Sequence, residues 1–527
     1  MIFTLQRYIF RELLRIFILA SIALTLILSL GSILSPIQEY GVGPGQAFRL
    51  LGYFLPINMT FVLPMGALFA AALVYGRFAG DNELDACRAS GISLATLVYP
   101  GLFLAVLVAI TTLILSFHTV PAFVKRAVKA TQSDAKQILF RNIQRRGYYS
   151  LPGRRYRIYA DAANPLNDEL LGVIVTEQNR QNQIAGLYTS QRAKVYIEPK
   201  RGVNKVTVVA QDVYQITSEG EAYSSSLPIA GEFGSLLSDD IKFKKIKEMK
   251  AIRQMPGRFP PIAKIAEQTY NQTLIEMLGE DIAGKISASP DARYVLSNNQ
   301  TMVAITAPIS RLSSDPAVEL SGDVNGVEYD VITGQPKNTW KSNRVLIKLD
   351  DDNQDKLMLV AYSAQWKDAA GAAGLRGRHI VKNISVPTKI MAKIGPDRFN
   401  AIQKIPLLVR NPSSQLDGLH KAVTRKVYRT LAAIKAEIHS RLVFGLGCII
   451  MILIGAGFGI MFKGGHLLTA FGISSIPAAL LVVCIMMGKN ITNNPDSKAG
   501  SGIVLMWSGL VILTLLAGFL YRKLLRT

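Results

Sequence analysis

Residues 16–34 read Ile-Phe-Ile-Leu-Ala-Ser-Ile-Ala-Leu-Thr-Leu-Ile-Leu-Ser-Leu-Gly-Ser-Ile-Leu. No charged side chain interrupts this run, and no helical face of it is polar enough to meet water. A helix needs about 20 consecutive apolar residues to cross a bilayer, and this stretch reaches that length. Working outward, comparable runs occupy roughly 51–75, 94–117, 442–462, 467–487 and 503–521. Three runs near each end bracket a long hydrophilic middle, which predicts three spans, one large domain, then three more spans. The first run is long, lacks a small-x-small cleavage site and is followed by further spans. It therefore reads as a retained span, not a cleaved signal.

Composition agrees. Of 527 residues, 49% are hydrophobic and only 18% charged, apolar for the length and suited to a membrane protein with a globular part. The formal charge is +22, with 59 Lys and Arg against 37 Asp and Glu. Most of the excess lies in residues 119–440, so the hydrophilic domain suits anionic headgroups or a phosphorylated ligand. Nothing reads as a recognition helix or stacking sheet for nucleic acid. The three cysteines, Cys87, Cys448 and Cys484, all fall outside that domain, so no disulfide framework or zinc spacing is present. The five histidines form no HExxH pair, and no metal or cofactor is expected.

An even number of spans puts both termini on one side. Arg7, Arg11 and Arg15 precede the first span, and Arg522, Lys523 and Arg526 follow the last. Arg77, Arg88 and Lys463 join them, against only Arg49, Lys489 and Lys498 in the short opposite loops. The positive-inside rule then places both termini in the cytoplasm and residues 119–440 outside.

The outer domain reads as mainly β. Tyr156–Ala160 and Lys194–Ile197 alternate, Pro199–Gly202 suggests a turn before Val203–Ala210, and Arg344–Leu349, Lys356–Tyr362 and His379–Val386 follow. Short strands separated by turns suggest a sandwich or jelly roll. Residues 243–286 look helical, broken by Gly257 and Pro260-Pro261, and form a helical insertion placed at about 243–296. Leu419, Val423, Val427, Leu431, Ile434 and Ile438 recur at helical spacing, an amphipathic helix over about 419–440 that leads into the fourth span. It either packs on the β domain or meets lipid phosphates. The organisation expected is residues 1–118 with spans one to three, 119–440 as the outer domain, and 441–527 with spans four to six.

The loop between spans two and three carries the mechanism. In Asp81-Asn82-Glu83-Leu84-Asp85-Ala86-Cys87-Arg88, Asp81 or Asn82 can cap a helix over about 81–91, acidic residues fill its first turn, and Gly91 can stop it. Such a helix falls short of the roughly 12–15 residues needed to stand alone. It must dock on its own spans or on a cytoplasmic protein.

The block Gly76-Arg77…Asn82-Glu83-Leu84…Arg88-Ala89-Ser90-Gly91-Ile92-Ser93 resembles the corresponding loop of the LptF/LptG (YjgP/YjgQ) permeases. Glu437-Ile-His439-Ser-Arg441 before span four, Arg7-Tyr-Ile-Phe-Arg11-Glu near the start and the three-plus-three layout agree. The resemblance implies a six-helix permease with a periplasmic jelly-roll domain in the inner membrane. It implies pairing with a paralogous permease and a cytoplasmic ATPase dimer, and transfer of lipopolysaccharide to LptC/LptA-like bridge proteins toward the outer membrane. Glu83 matches the family's acidic contact to the ATPase, with Leu84, Arg88 and Asp81 around it. The outer domain here is roughly twice the family's usual length.

Other candidates are weaker. Ser21, Thr25, Ser29 and Ser32 share one face of span one, for close helix packing or as a weakly polar wall of a lipid path. In the family the first and fifth spans border the substrate cavity, and span five here carries Ser474, Ser475 and Pro477. Gly455 and Gly459 make a close-packing pair. Lys125, Arg126 and Lys129 follow span three and suit ordinary headgroups or the phosphates of a lipid being lifted. Gly279–Ile286 nearly matches a phosphate-binding loop, but Ile286 replaces the magnesium-binding hydroxyl. Asp350–Asp355 lacks the Gly and Glu of a calcium loop and reads as a charged turn. No intramembrane Asp pair or Gly-x-Ser-x-Gly supports a hydrolase, so no catalytic residue is expected. The alternative to a permease is a membrane-anchored ligand-binding or assembly scaffold.

Overall fold

Inside a bilayer every backbone N–H and C=O must bond within its own segment, so each apolar run becomes a helix. A computed structural model describes residues 2–526 apart from 41–43, 134, 151–155, 179–183, 201–202, 218–219, 234–239, 289–291, 314–315, 351–355, 396–398, 400–401, 403, 463–466 and 496–498. Six of its helices are long and apolar enough to cross a membrane. They lie in α1 (Ile2–Tyr40), α2 (Pro44–Gly80), α4 (Leu94–Ile114), α11 (Ser414–Met461), α12 (Leu467–Asn493) and α13 (Ala499–Arg526), with α3 (Glu83–Ala89) between the second and third. α4 continues through a π-helical turn, Leu115–Thr119, into α5 (Val120–Ser133), and α6 (Ala135–Arg146) follows. The chain divides into two compact units, Met1–Arg253 with Arg429–Thr527, and Gln254–Tyr428.

The first unit holds the helix bundle and one sheet. The bundle core gathers Leu68, Tyr75, Leu104, Val443, Ile452 and Met506. Small residues set its closest approaches. A Cβ on Gly459 would stand 2.7 Å from the Ala72 carbonyl oxygen and 2.9 Å from the Gly76 nitrogen, and one on Gly455 3.0 Å from the Leu68 carbonyl oxygen. The backbones of α2 and α11 therefore approach closely at these two glycines. The sheet runs β1 (Tyr148–Ser150), β2 (Tyr156–Asn164), β3 (Glu169–Gln178), β4 (Ile184–Lys200), β5 (Val203–Thr217) and β6 (Gly220–Phe233), each antiparallel to the next. Its buried face, including Ile158, Val173, Val195 and Val208, packs with Leu139, Phe140 and Ile143 of α6. Gly172, at φ 62°, faces Asp161 so closely that any Cβ would collide with its carboxylate. α7 (Ile246–Gln254) follows β6.

The second unit is built on α8 (Pro260–Ala288), which starts with proline at its first helical position, where the missing N–H costs nothing. β7 (Tyr294–Ser297), β8 (Thr301–Thr306), β9 (Ile309–Leu312), β10 (Ala317–Asp330), β11 (Pro336–Leu349), β12 (Lys356–Asp368) and β13 (Ala373–Ser385) form a second antiparallel sheet, ordered β13-β12-β11-β10-β8-β7, with β9 on β10. Leu274, Ile275, Leu278 and Ile282 of α8 join Val303, Leu320, Val345 and Leu359 in its core. α9 (Thr388–Ile394) and α10 (Ile405–Leu408) complete it. Glu276 and Glu280 pin the segment before α11. Glu276 accepts from the Ser413 N–H (3.0 Å) and its hydroxyl, and Glu280 accepts from the Arg410 N–H (3.0 Å). The Ser413 hydroxyl in turn accepts the Leu416 N–H at 3.1 Å, an N-cap on a 48-residue helix.

The mainly-β insertion is thus two antiparallel sheets, one in each unit, with α7 and α8 between them in sequence. The amphipathic stretch at 419–440 lies in α11, continuous with the fourth candidate span. Residues 201–202 of the expected turn and 351–355 of the charged turn lie outside the described residues.

Candidate functional site

The loop between α2 and α4 is held by its neighbours. Asn82 stands at the N-cap of α3 with φ 59° and its side chain accepts no capping bond from the first turn, so neither Asp81 nor Asn82 closes the helix as expected. The helix is seven residues long, shorter than the 81–91 expectation. Its C-terminus is closed by backbone bonds from Ser90 to Ala86, Gly91 to Arg88 and Ile92 to Cys87, with Gly91 at φ 82°. Ser93 then caps α4, its hydroxyl accepting the Thr96 N–H at 3.4 Å.

What moors α3 is Leu84, 4% exposed within the bundle core, with Cys87 packed against that core. Asp81, Glu83 and Arg88 are exposed. The structure therefore splits the predicted group. Three charged side chains are exposed, and Leu84 is buried against its own chain. Arg77, at the end of α2, pairs with Glu12 of α1 at 3.1 Å and lies over the Phe78 ring.

The other predicted positions are scattered. Ser21, Thr25 and Ser29 are buried. The Ser21 hydroxyl stands 2.6 Å from where a Gly66 Cβ would be, and Ser29 accepts from Asn58 at 3.1 Å, so these two face α2. The side chains of Ser32, Ser474 and Lys129 lie outside the described residues. Ser475 donates to the Gly472 carbonyl of its own helix at 2.7 Å. Lys125 is paired with Glu248 of α7, and Arg126 is exposed beside the Phe123 ring. Burial pushes the Glu248 carboxyl up, but Lys125 and the Lys245 N–H outweigh it and hold it below the ordinary glutamate range. Among the described residues no group of three or more His, Cys, Asp or Glu could hold a metal ion.

Two arrangements were not legible beforehand. Glu437 of α11 accepts from Arg441 (2.9 Å) and from Lys489 of α12 (2.8 Å). Arg441 also donates to the Lys242 carbonyl at 2.7 Å and lies over the Phe117 ring, while Trp507 of α13 donates to His439 at 3.3 Å. Glu437, His439 and Arg441 were visible as a motif; the partner Lys489 could be suspected only as a charge close to a span. The second arrangement is Tyr75, a phenol inside an apolar helix, whose hydroxyl bonds the backbone of α4.

Six candidate spans and a mainly-β insertion define a multi-pass membrane protein. The family model for the lipopolysaccharide export system permease LptF/LptG matches residues 7–227 and 402–523. The chain belongs to that family of lipopolysaccharide export permeases. The matched segments take in all six candidate spans, α3 and most of the first sheet. The unmatched stretch, 228–401, contains α7, α8 and the whole second sheet. No curated protein matches the chain.

Proposed function

We propose that this chain is the membrane subunit of an ATP-driven exporter that lifts lipopolysaccharide out of the inner membrane and passes it toward the outer membrane. A separate cytoplasmic ATPase dimer docks on α3, with Glu83 as the main contact and Arg88 and Asp81 beside it. A paralogous permease completes the membrane part, and LptC/LptA-like bridge proteins receive the lipid. Both termini are cytoplasmic, and the two sheets are periplasmic. The chain itself carries out no covalent chemistry.

The observation that carries this reading is a helix too short to stand alone, moored by one buried leucine and presenting an exposed carboxylate, within a chain that the family model matches across both membrane halves. Lifting a lipid costs about 0.8 kcal/mol per CH₂ withdrawn from hydrocarbon, so an external energy source and a sheltering apolar surface are both required. The test is co-purification of the ATPase with the full chain from membranes. Glu83→Ala is expected to lower ATPase retention or lipid release at least about tenfold, as loss of an interface hot spot does. Unchanged retention and release would remove the docking assignment.

A further inference from the structure

We infer that Tyr75 is a positioning residue for export, its hydroxyl locking together the two helices that flank α3. The inference rests on the reading of α3 as the helix on which the motor acts.

Tyr75 sits near the end of α2 and is 0% exposed. Its hydroxyl donates to the Leu97 carbonyl of α4 at 3.0 Å, with the Val98 carbonyl at 3.4 Å, and accepts the Gly101 N–H at 3.2 Å. A regular helix joins the residue 97 carbonyl to the residue 101 N–H directly. Here a side chain from another helix is bonded to both ends of that link. The turn is already weakened by Pro100, which has no N–H to offer Thr96. Gly101 makes the approach possible, because a Cβ there would stand 2.9 Å from the Tyr75 hydroxyl. A Cβ on Gly459 of α11 would stand 3.3 Å from the Tyr75 Cβ. α2, α4 and α11 are therefore joined at one level.

Ring packing alone would be served by phenylalanine; the hydroxyl adds a bond to backbone. That matters because α3 has no stability of its own and transmits load only through the helices at its two ends. Packed helices can shift by small sliding motions, and sliding between α2 and α4 would absorb the displacement of α3. A hydroxyl held by both a carbonyl and an N–H of the facing helix opposes that slide.

The test uses the full chain, co-purified with its partner permease and ATPase, in phosphatidylethanolamine/phosphatidylglycerol proteoliposomes loaded with lipopolysaccharide. Tyr75→Phe is expected to assemble and hydrolyse ATP, while lipopolysaccharide released per ATP falls about fivefold, the order of one or two lost hydrogen bonds. Gly101→Ala keeps the phenol but pushes its hydroxyl end, with the adjoining ring edge, off the α4 backbone, and the same fall is expected. An unchanged ratio in Tyr75→Phe overturns the inference. Should that variant not accumulate, an unchanged ratio in Gly101→Ala overturns it equally. Reduced assembly with an intact ratio also overturns it, since that is a purely structural role. Glu83→Ala runs beside them. If Glu83→Ala keeps both ATPase binding and lipid release, the docking reading fails; if it loses them while Tyr75→Phe keeps its ratio, only the present inference fails.

Discussion

At Glu328 two opposing effects act on one carboxylate. It is 5% exposed in the second sheet, and burial alone would push its pKa up. His379 Nε2 at 2.6 Å, Asn338 Nδ2 at 2.8 Å and Trp340 Nε1 at 3.1 Å all reach it. Together they outweigh burial and hold it below the ordinary glutamate range. Arg376 fixes the tautomer. Its guanidinium can only donate, and it stands 3.2 Å from His379 Nδ1, so the ring proton lies on Nε2 and is given to Glu328. A carboxylate whose pKa is depressed on folding stabilises the fold at pH above its unfolded value and loses that contribution as pH falls through its folded value. The second unit is therefore expected to lose stability below about pH 4. Glu328→Gln should cost about 1–3 kcal/mol at neutral pH and flatten the acid dependence, read by hydrogen exchange of β10 and β13 across pH. An acid dependence identical in the variant would assign it to other groups. Gly326 belongs to the same corner, because a Cβ there would lie 2.1 Å from the Trp340 ring.

At the scale of elements, legibility followed periodicity and stopped where contacts are remote in sequence. Apolar length alone located the six spans, because a bilayer leaves a long apolar run no other solution. Alternation located β2, β4, β5, β11, β12 and β13 from short quoted stretches, yet it could not say that the strands close into two sheets, since strand partnership depends on turns and cores that alternation does not encode. In α3 the acidic first turn and Gly91 were legible. The inward turn of Leu84 was not, because a seven-residue helix is too short for its apolar side to be read. The Gly455 and Gly459 spacing did point to a close seam, and the structure supplies its partner, α2. Gly459→Leu should destabilise that seam by about 1–3 kcal/mol or more, as overpacking does, because the obstructing atoms are backbone atoms of Ala72 and Gly76 and not movable side-chain ends. Thermal unfolding in detergent would measure it. Gly500→Leu, where a Cβ meets nothing within 4 Å, is the control expected to change little.

On the scale of the whole chain, three separate cores divide the work: the helix bundle, the face of the first sheet on α6, and the second unit around α8. The family match follows this division, taking in the bundle and most of the first sheet and omitting 228–401. A unit with its own core and closing bonds, such as those from Glu276 and Glu280 to residues 410–413, needs little from the rest of the chain to fold. Replacing residues 254–428 by a flexible Gly/Ser linker of about 20 residues should leave the bundle and first sheet intact. Arg441 and its bond to the Lys242 carbonyl remain in the shortened chain, as do Lys125 and Glu248, so the segment leaving β6 keeps its attachments. The shortened chain is expected to insert in membranes and, under the docking proposed for α3, to retain an ATPase to the same extent as the full chain, read by co-purification. If it fails to accumulate, the added unit is part of the folding core of this permease and not a module set into it.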